Sequence, residues 1–185
     1  MRIFYDCEFI EDGRTIELIS IGMVRETDGA ELYLVNADMP ERKIRRHPWL
    51  MANVVPGLPK PSGDWNNHMP TSWLYDRHNR AVQPKIRIAS QVRRFIQGTP
   101  DPQLWAWYGA YDHVVLAQLF GRMIDLPTGI PMWTNDIQQE AQRLGNPQMP
   151  EQGAGVHNAL ADARHNLVRA QFLDQLAAQP DGSSR

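Results

Sequence analysis

The chain has 185 residues, ordinary apolar content and a formal net charge of −2. That length suits one domain with a full core. The single cysteine, Cys7, excludes an intramolecular disulfide and a thiolate zinc site, and fits a reducing compartment. No window approaches the run of about eighteen apolar residues that a spanning helix needs. No basic-then-apolar leader opens the chain, because Asp6 and Glu8 interrupt it. The expectation is a cytoplasmic protein with no membrane partner. Charge is unevenly spread, since residues 42–94 hold 11 of the 19 Lys/Arg and two of the 21 Asp/Glu. Such a basic segment is either a path for a phosphate backbone or a solvated surface.

Residues 2–9 read as a first strand, and Asp12–Gly13 marks the turn after it. Residues 15–25, rich in Ile and Val, read as a second strand. Thr27–Asp28–Gly29 turns the chain into a third, Ala30–Val35. Three strands joined by tight turns make an antiparallel meander. Residues 36–83 are proline-rich and irregular, a long excursion with short helices around 41–50 and 72–81. Pro84 then opens a helix over 85–97, with Ile88, Val92, Phe95 and Ile96 on one stripe. Residues 103–108 form an apolar run short enough for a buried strand. Gly109–Ala110–Tyr111 is a turn, and helices follow over 112–121, 136–144 and 158–178. Residues 145–156 are a Gly/Pro-rich loop, and 179–185 a frayed tail. A meander followed by alternating helix and strand indicates an α/β layer, in one domain over 1–178.

The chemistry begins at Asp6 and Glu8. Strand side chains alternate, so these two carboxylates share a face and Cys7 takes the other. Two carboxylates at the end of an apolar strand repel each other and resist desolvation. Either a divalent cation relieves both problems or the strand simply surfaces at Asp6. Asp112 falls near a helix N-terminus, where a carboxylate serves as a plain cap or, at the end of a strand, as part of a site. His157 and Asp162 open the last helix. Five residues make about 1.4 helical turns, so they converge only if His157 lies in the loop before it. Taken together, Asp6, Glu8, Asp112 and Asp162 offer oxygen-only ligands, which suit Mg²⁺ or Mn²⁺. Two such ions clamp a phosphoryl group, and a histidine with an ordinary pKa near 6.5 is suited to take the proton from water. The implied reaction is phosphodiester hydrolysis.

Asp6–Cys7–Glu8, Tyr108–Gly109–Ala110–Tyr111–Asp112 and His157–Asn158–Ala159–Leu160–Ala161–Asp162 resemble the three motifs of the DEDDh 3′→5′ exonucleases. The stretch from Phe4 to Gly22, with Leu104–Trp107, is similar to the small actinobacterial polyadenylate-specific 3′-exoribonuclease family. The resemblance covers roughly residues 2–175. It implies a ribonuclease H-like fold, here a mixed five-stranded sheet in which parallel strands follow the meander, flanked by helices. It also implies two Mg²⁺ held by Asp6, Glu8, Asp112 and Asp162, with Mn²⁺ as a substitute. His157 would be the general base, RNA 3′ ends the substrate, and a homodimer the assembly. Ile10 departs from the Thr or Ser that other DEDDh enzymes often carry there. That departure bears on how the terminal nucleotide is held.

Three further side chains are candidates for substrate contact. Glu8 and its backbone would meet the terminal sugar, by the same resemblance. Phe9 either stacks on the terminal base or packs into the core on the face of Cys7. Trp107 lies nearer the site than Trp105 and is the second candidate platform. Arg164 and Arg169 could reach phosphate or simply line a solvated helix face. Trp49, Trp65 and Trp73 either anchor a dimer or close a monomer's core. Two alternatives to an exoribonuclease stand: a 3′→5′ DNA exonuclease, and a catalytically idle RNA-binding scaffold.

Overall fold

The computed structural model describes residues 1–60 and 75–179. Alternating apolar residues make β1 (Arg2–Glu11), β2 (Ile16–Arg25) and β3 (Glu31–Asn36) an antiparallel meander. Asp12 holds the first turn by accepting from the backbone N–H of Thr15 at 2.8 Å. After the excursion, β4 (Val82–Gln83) pairs in parallel with β3. β5 (Gln103–Ala106) pairs in parallel with β1, and β6 (Asn135–Asp136) with β5. The sheet order is β4-β3-β2-β1-β5-β6.

This is the expected ribonuclease H-like α/β arrangement, with six strands where five were expected. The excursion supplies the extra edge. A two-residue strand ahead of Pro84 shows no alternation in sequence and is held by bonds such as Val35 N–H to the Ala81 carbonyl, 2.8 Å. The short helices expected around 41–50 are α1 (Glu41–Ile44) and α2 (Pro48–Asn53), the second capped by His47 and opened by Pro48. Of the helix expected over 72–81, the described residues 75–81 are not helical.

The remaining helices are α3 (Lys85–Gln97), α4 (Ala110–Gln118), α5 (Ile137–Arg143) and α6 (Ala159–Ala177). α3 and α4 cover one face of the sheet, burying Ile88, Val92, Val115 and Leu116 against Ile3, Tyr5 and Cys7. On the opposite face, Phe4 joins Ile137, Ala141 and Leu173 of α5 and α6, while Ile10 joins Ile44 and Leu50 of α1 and α2. Asp6 and Glu8 lie between Phe4 and Ile10 on that face, in the seam between the two clusters. Among the described residues, no helix is long and apolar enough to cross a membrane.

Candidate active site

A concavity of about 350 Å³ opens at this seam and is lined by Asp6, Glu8, Asp112, His157 and Asp162. The backbone explains the meeting. Gly22 sits opposite Asp6 in the β1–β2 ladder. A Cβ on Gly22 would stand 2.3 Å from the Ala159 carbonyl carbon, so only glycine lets the first turn of α6 lie on the sheet there. Asn158 caps α6, accepting from the Ala161 N–H at 3.1 Å, and donates to the Gly57 carbonyl at 2.9 Å. One turn into the helix, Asp162 comes over β1. Carboxylate oxygens of Asp6, Glu8 and Asp162 all lie within 4.8 Å of one another.

Asp112 lines the same cleft but lies outside that close group of three. It is buried in the first turn of α4, and its Oδ1 accepts from the Cys7 N–H at 2.7 Å. α4 starts at Ala110, two residues before the expected boundary, and β5 stops at Ala106 rather than Tyr108. Both shifts have one cause. Tyr108 takes a left-handed backbone, φ 56°, and Asp136 accepts from the N–H groups of Tyr108 and Gly109 at 3.1 and 3.2 Å. The same carboxylate caps α5 through the Gln138 N–H at 2.9 Å.

Among the described residues, none of the four carboxylates forms an ion pair with Lys or Arg. Burial, then repulsion from Asp112, Glu8 and Asp162, holds Asp6 well above the usual carboxylate range. Burial, with Asp162 and Asp112 nearby, pushes Glu8 up to about 8. Burial raises Asp112 to about 7 against the opposing pull of the Cys7 N–H. Asp162 is raised by burial and held back by Gln152, whose Nε2 donates to Oδ1 at 2.6 Å. Crowded, buried, uncompensated oxygen donors fit a hard divalent cation.

His157 lies in the loop before α6, as its spacing from Asp162 required, with a left-handed φ of 65°. Its ring meets Trp49 edge to face, centroids 4.8 Å apart. Trp49, read from sequence as an interface or core residue, therefore stands on the cleft rim; Trp65 and Trp73 lie outside the described residues. Phe9 combines its two expected roles. It packs against the Cys7 cluster and also lines the cleft, stacked on Tyr111 at 6.0 Å. Trp107 is on the rim, with the Arg169 guanidinium 4.4 Å from its ring centroid. Trp105 instead turns to Phe4, 6.4 Å away.

Other side chains named from the sequence take these places. Arg164 is engaged twice by Glu31, at 2.6 Å each. His165 and Asn166 are buried: His165 contacts the Pro150 carbonyl at 3.0 Å, and Asn166 donates to the Tyr5 carbonyl at 3.1 Å. Ile10 is buried in the α1–α2 cluster. Sequence reading missed Tyr108, Tyr111 and Gln152. The two tyrosines lie within the second motif, and that membership was the available signal. Nothing in the sequence marked Gln152.

Residues 64–173 match the family described as 3′-5′ exoribonuclease Rv2179c-like domain. The chain belongs to this family. The 3′-5′ exoribonuclease Rv2179c of Mycobacterium tuberculosis (strain ATCC 25618 / H37Rv) is 41% identical over 187 residues, covering 100% of both chains. The 3′-5′ exoribonuclease MT2234.1 of strain CDC 1551 / Oshkosh matches equally, 41% over 187 residues. Among solved structures, E. coli exonuclease I in complex with a dT13 oligonucleotide superposes with a TM-score of 0.56 at 12% identity. That alignment covers 94% of this chain and 40% of exonuclease I, so this chain spans less than half of that protein. The likeness is one of fold.

Proposed function

We propose that the protein is a metal-dependent 3′→5′ exoribonuclease, hydrolysing the last phosphodiester of single-stranded or overhanging RNA to release nucleoside 5′-monophosphates. The observation that carries this reading is the close group Asp6, Glu8 and Asp162 beside His157 in one aromatic-rimmed cleft. Full-length identity of 41% to chains named as exoribonucleases supports RNA over DNA. Asp6, Glu8, Asp112 and Asp162 would hold two Mg²⁺, or Mn²⁺ in their place. Bound there, the ions supply an activated water and stabilise the departing oxygen.

His157 takes the proton of the attacking water on its imidazole nitrogen. It lines the cleft from the loop before α6, its ring against Trp49. Phe9 and Trp107 stack the terminal bases, and Tyr111 behind Phe9 stiffens that platform. Glu8 would meet the terminal sugar, and a 2′-OH offers a donor that DNA lacks. The RNA 3′ end is the substrate partner. Residues 1–178 are read as one catalytic domain. A homodimer fits exposed Ile124 and Trp133, apolar surface of the kind a subunit contact buries. A lone buried thiol, Cys7, suits the cytoplasm.

The deciding experiment compares equal-length RNA and DNA strands, each with a free or blocked 3′ end, in Mg²⁺. RNA with a free end should shorten one nucleotide at a time. Equal shortening of DNA would reassign the enzyme to DNA trimming. Cuts inside blocked strands would reject an exonuclease.

A further inference from the structure

The face of β1 that carries Asp6 and Glu8 continues to Ile10, roughly 7 Å further along the strand. There a second concavity begins, about 350 Å³ in volume, between the β1–β2 hairpin and the end of α1. Glu11, Asp12 and Glu17 line its hairpin side, and Lys43, Arg46 and His47 its far wall. The chain then runs on from His47 to Trp49, which lines the catalytic cleft. The linings of the two hollows therefore follow one another along the chain twice, in β1 and at the α1–α2 corner. A third hollow, about 430 Å³, lies against Glu41, Arg42, Arg45 and Arg46. Arg46 is shared by the second and third.

Packing forces these cations outward. Ile44 is wholly buried in the cluster with Ile10 and Leu50, so its helical neighbours face solvent. Some are engaged by acids. Lys43 pairs with Glu17 at 2.7 Å, Arg45 with Glu41 at 3.6 Å, and the same Glu41 also holds Arg77. Arg42 and Arg46 have no acidic partner among the described residues, and both are exposed. Both line the third hollow, so they face the same stretch of surface. Two uncompensated guanidiniums beside a cleft of four carboxylates are placed to hold anions that the cleft itself repels.

We propose that Arg42 and Arg46 form a phosphate rail. It binds the backbone of the RNA strand being shortened, on the 5′ side of the scissile bond, without reading sequence. The rail deepens the exoribonuclease reading and rests on it. It makes long strands bind better than short ones and leaves the chemistry at the cleft unchanged.

The test uses full-length protein and the Arg42→Ala/Arg46→Ala variant. Binding of a long single-stranded RNA is measured across KCl concentrations, with Ca²⁺ replacing Mg²⁺ to hold back turnover. Each neutralised phosphate contributes about 0.7 to the slope of log affinity against log salt for single strands, so the variant should be shallower by about 1.4. Mg²⁺-dependent turnover of a trinucleotide, which has a single phosphate upstream of the scissile bond, should match wild type. A control, Arg122→Ala/Arg143→Ala, removes two arginines that pair with Asp125 and Glu140 and should leave the slope unchanged. An unaltered slope in the Arg42/Arg46 variant overturns the rail, as does an equal loss of trinucleotide turnover. A change of sedimenting mass assigns the patch to a subunit contact and likewise overturns it. Normal binding slopes with no wild-type turnover of either RNA would instead defeat the exonuclease reading.

Discussion

Gln152 donates to Asp162 across 2.6 Å, so the loop that carries His157 is fastened to a candidate metal-binding oxygen. The loop is fixed a second time, where Pro150 meets His165 of α6 at 3.0 Å. Groups that orient metal ligands typically govern metal affinity by about 10–100-fold. Gln152→Ala should therefore weaken Mn²⁺ binding by that order while leaving the fold intact. Isothermal titration with Mn²⁺ checks it, and unchanged affinity would make Gln152 a bystander.

Gly22 gives a sharper structural prediction. A methyl group there meets the Ala159 and Leu160 backbone, which cannot yield as a side chain would. Overpacking of this kind costs about 1–3 kcal/mol. Gly22→Ala should lower the melting temperature and, by lifting α6, carry Asp162 away from Asp6. Mn²⁺ should then raise the melting temperature of the variant less than that of wild type.

This glycine also shows what the sequence could and could not tell. The strand period placed Asp6 and Glu8 on one face, and the His157–Asp162 spacing required His157 to precede the helix; the structure agrees with both. The closeness of Asp162 to β1 depends on Gly22, 140 residues earlier in the chain, and no local pattern reports such a contact. Trp49 at the rim depends on how the excursion folds back, and the end of β5 on Asp136 reaching Tyr108. β4 is held entirely by its partner strand. Tertiary contacts, not local propensity, decide each of these.

Acidity supplies a third prediction. Glu8 and Asp112 rise to about 8 and about 7, and Asp6 and Asp162 rise as well, in each case chiefly through burial. An acid with a raised folded pKa binds its proton more tightly folded than unfolded. Metal-free stability should therefore be greatest near pH 4–5 and fall as pH climbs through 8. Divalent ions offset the exposed charge, so Mg²⁺ or Mn²⁺ should raise the melting temperature more at pH 8 than at pH 5, and binding should release protons. Melting curves with and without EDTA at both pH values check this. A metal-free protein that grows more stable from pH 5 to 8 would contradict it.

His157→Ala separates chemistry from binding. Loss of a positioned base typically costs 10²–10⁴-fold in rate. Turnover should fall by about that factor, with Mn²⁺ affinity and RNA binding nearly unchanged. An undiminished rate would remove His157 from the reaction.

The central claim is most directly tested by product analysis on one RNA labelled separately at its 3′ and its 5′ end. With Mg²⁺, the 3′ label should leave first as a nucleoside 5′-monophosphate while the 5′-labelled strand shortens stepwise, and both should stop with EDTA or with Asp6→Asn. Early release of the 5′ label, or shortening that survives Asp6→Asn, would contradict the account.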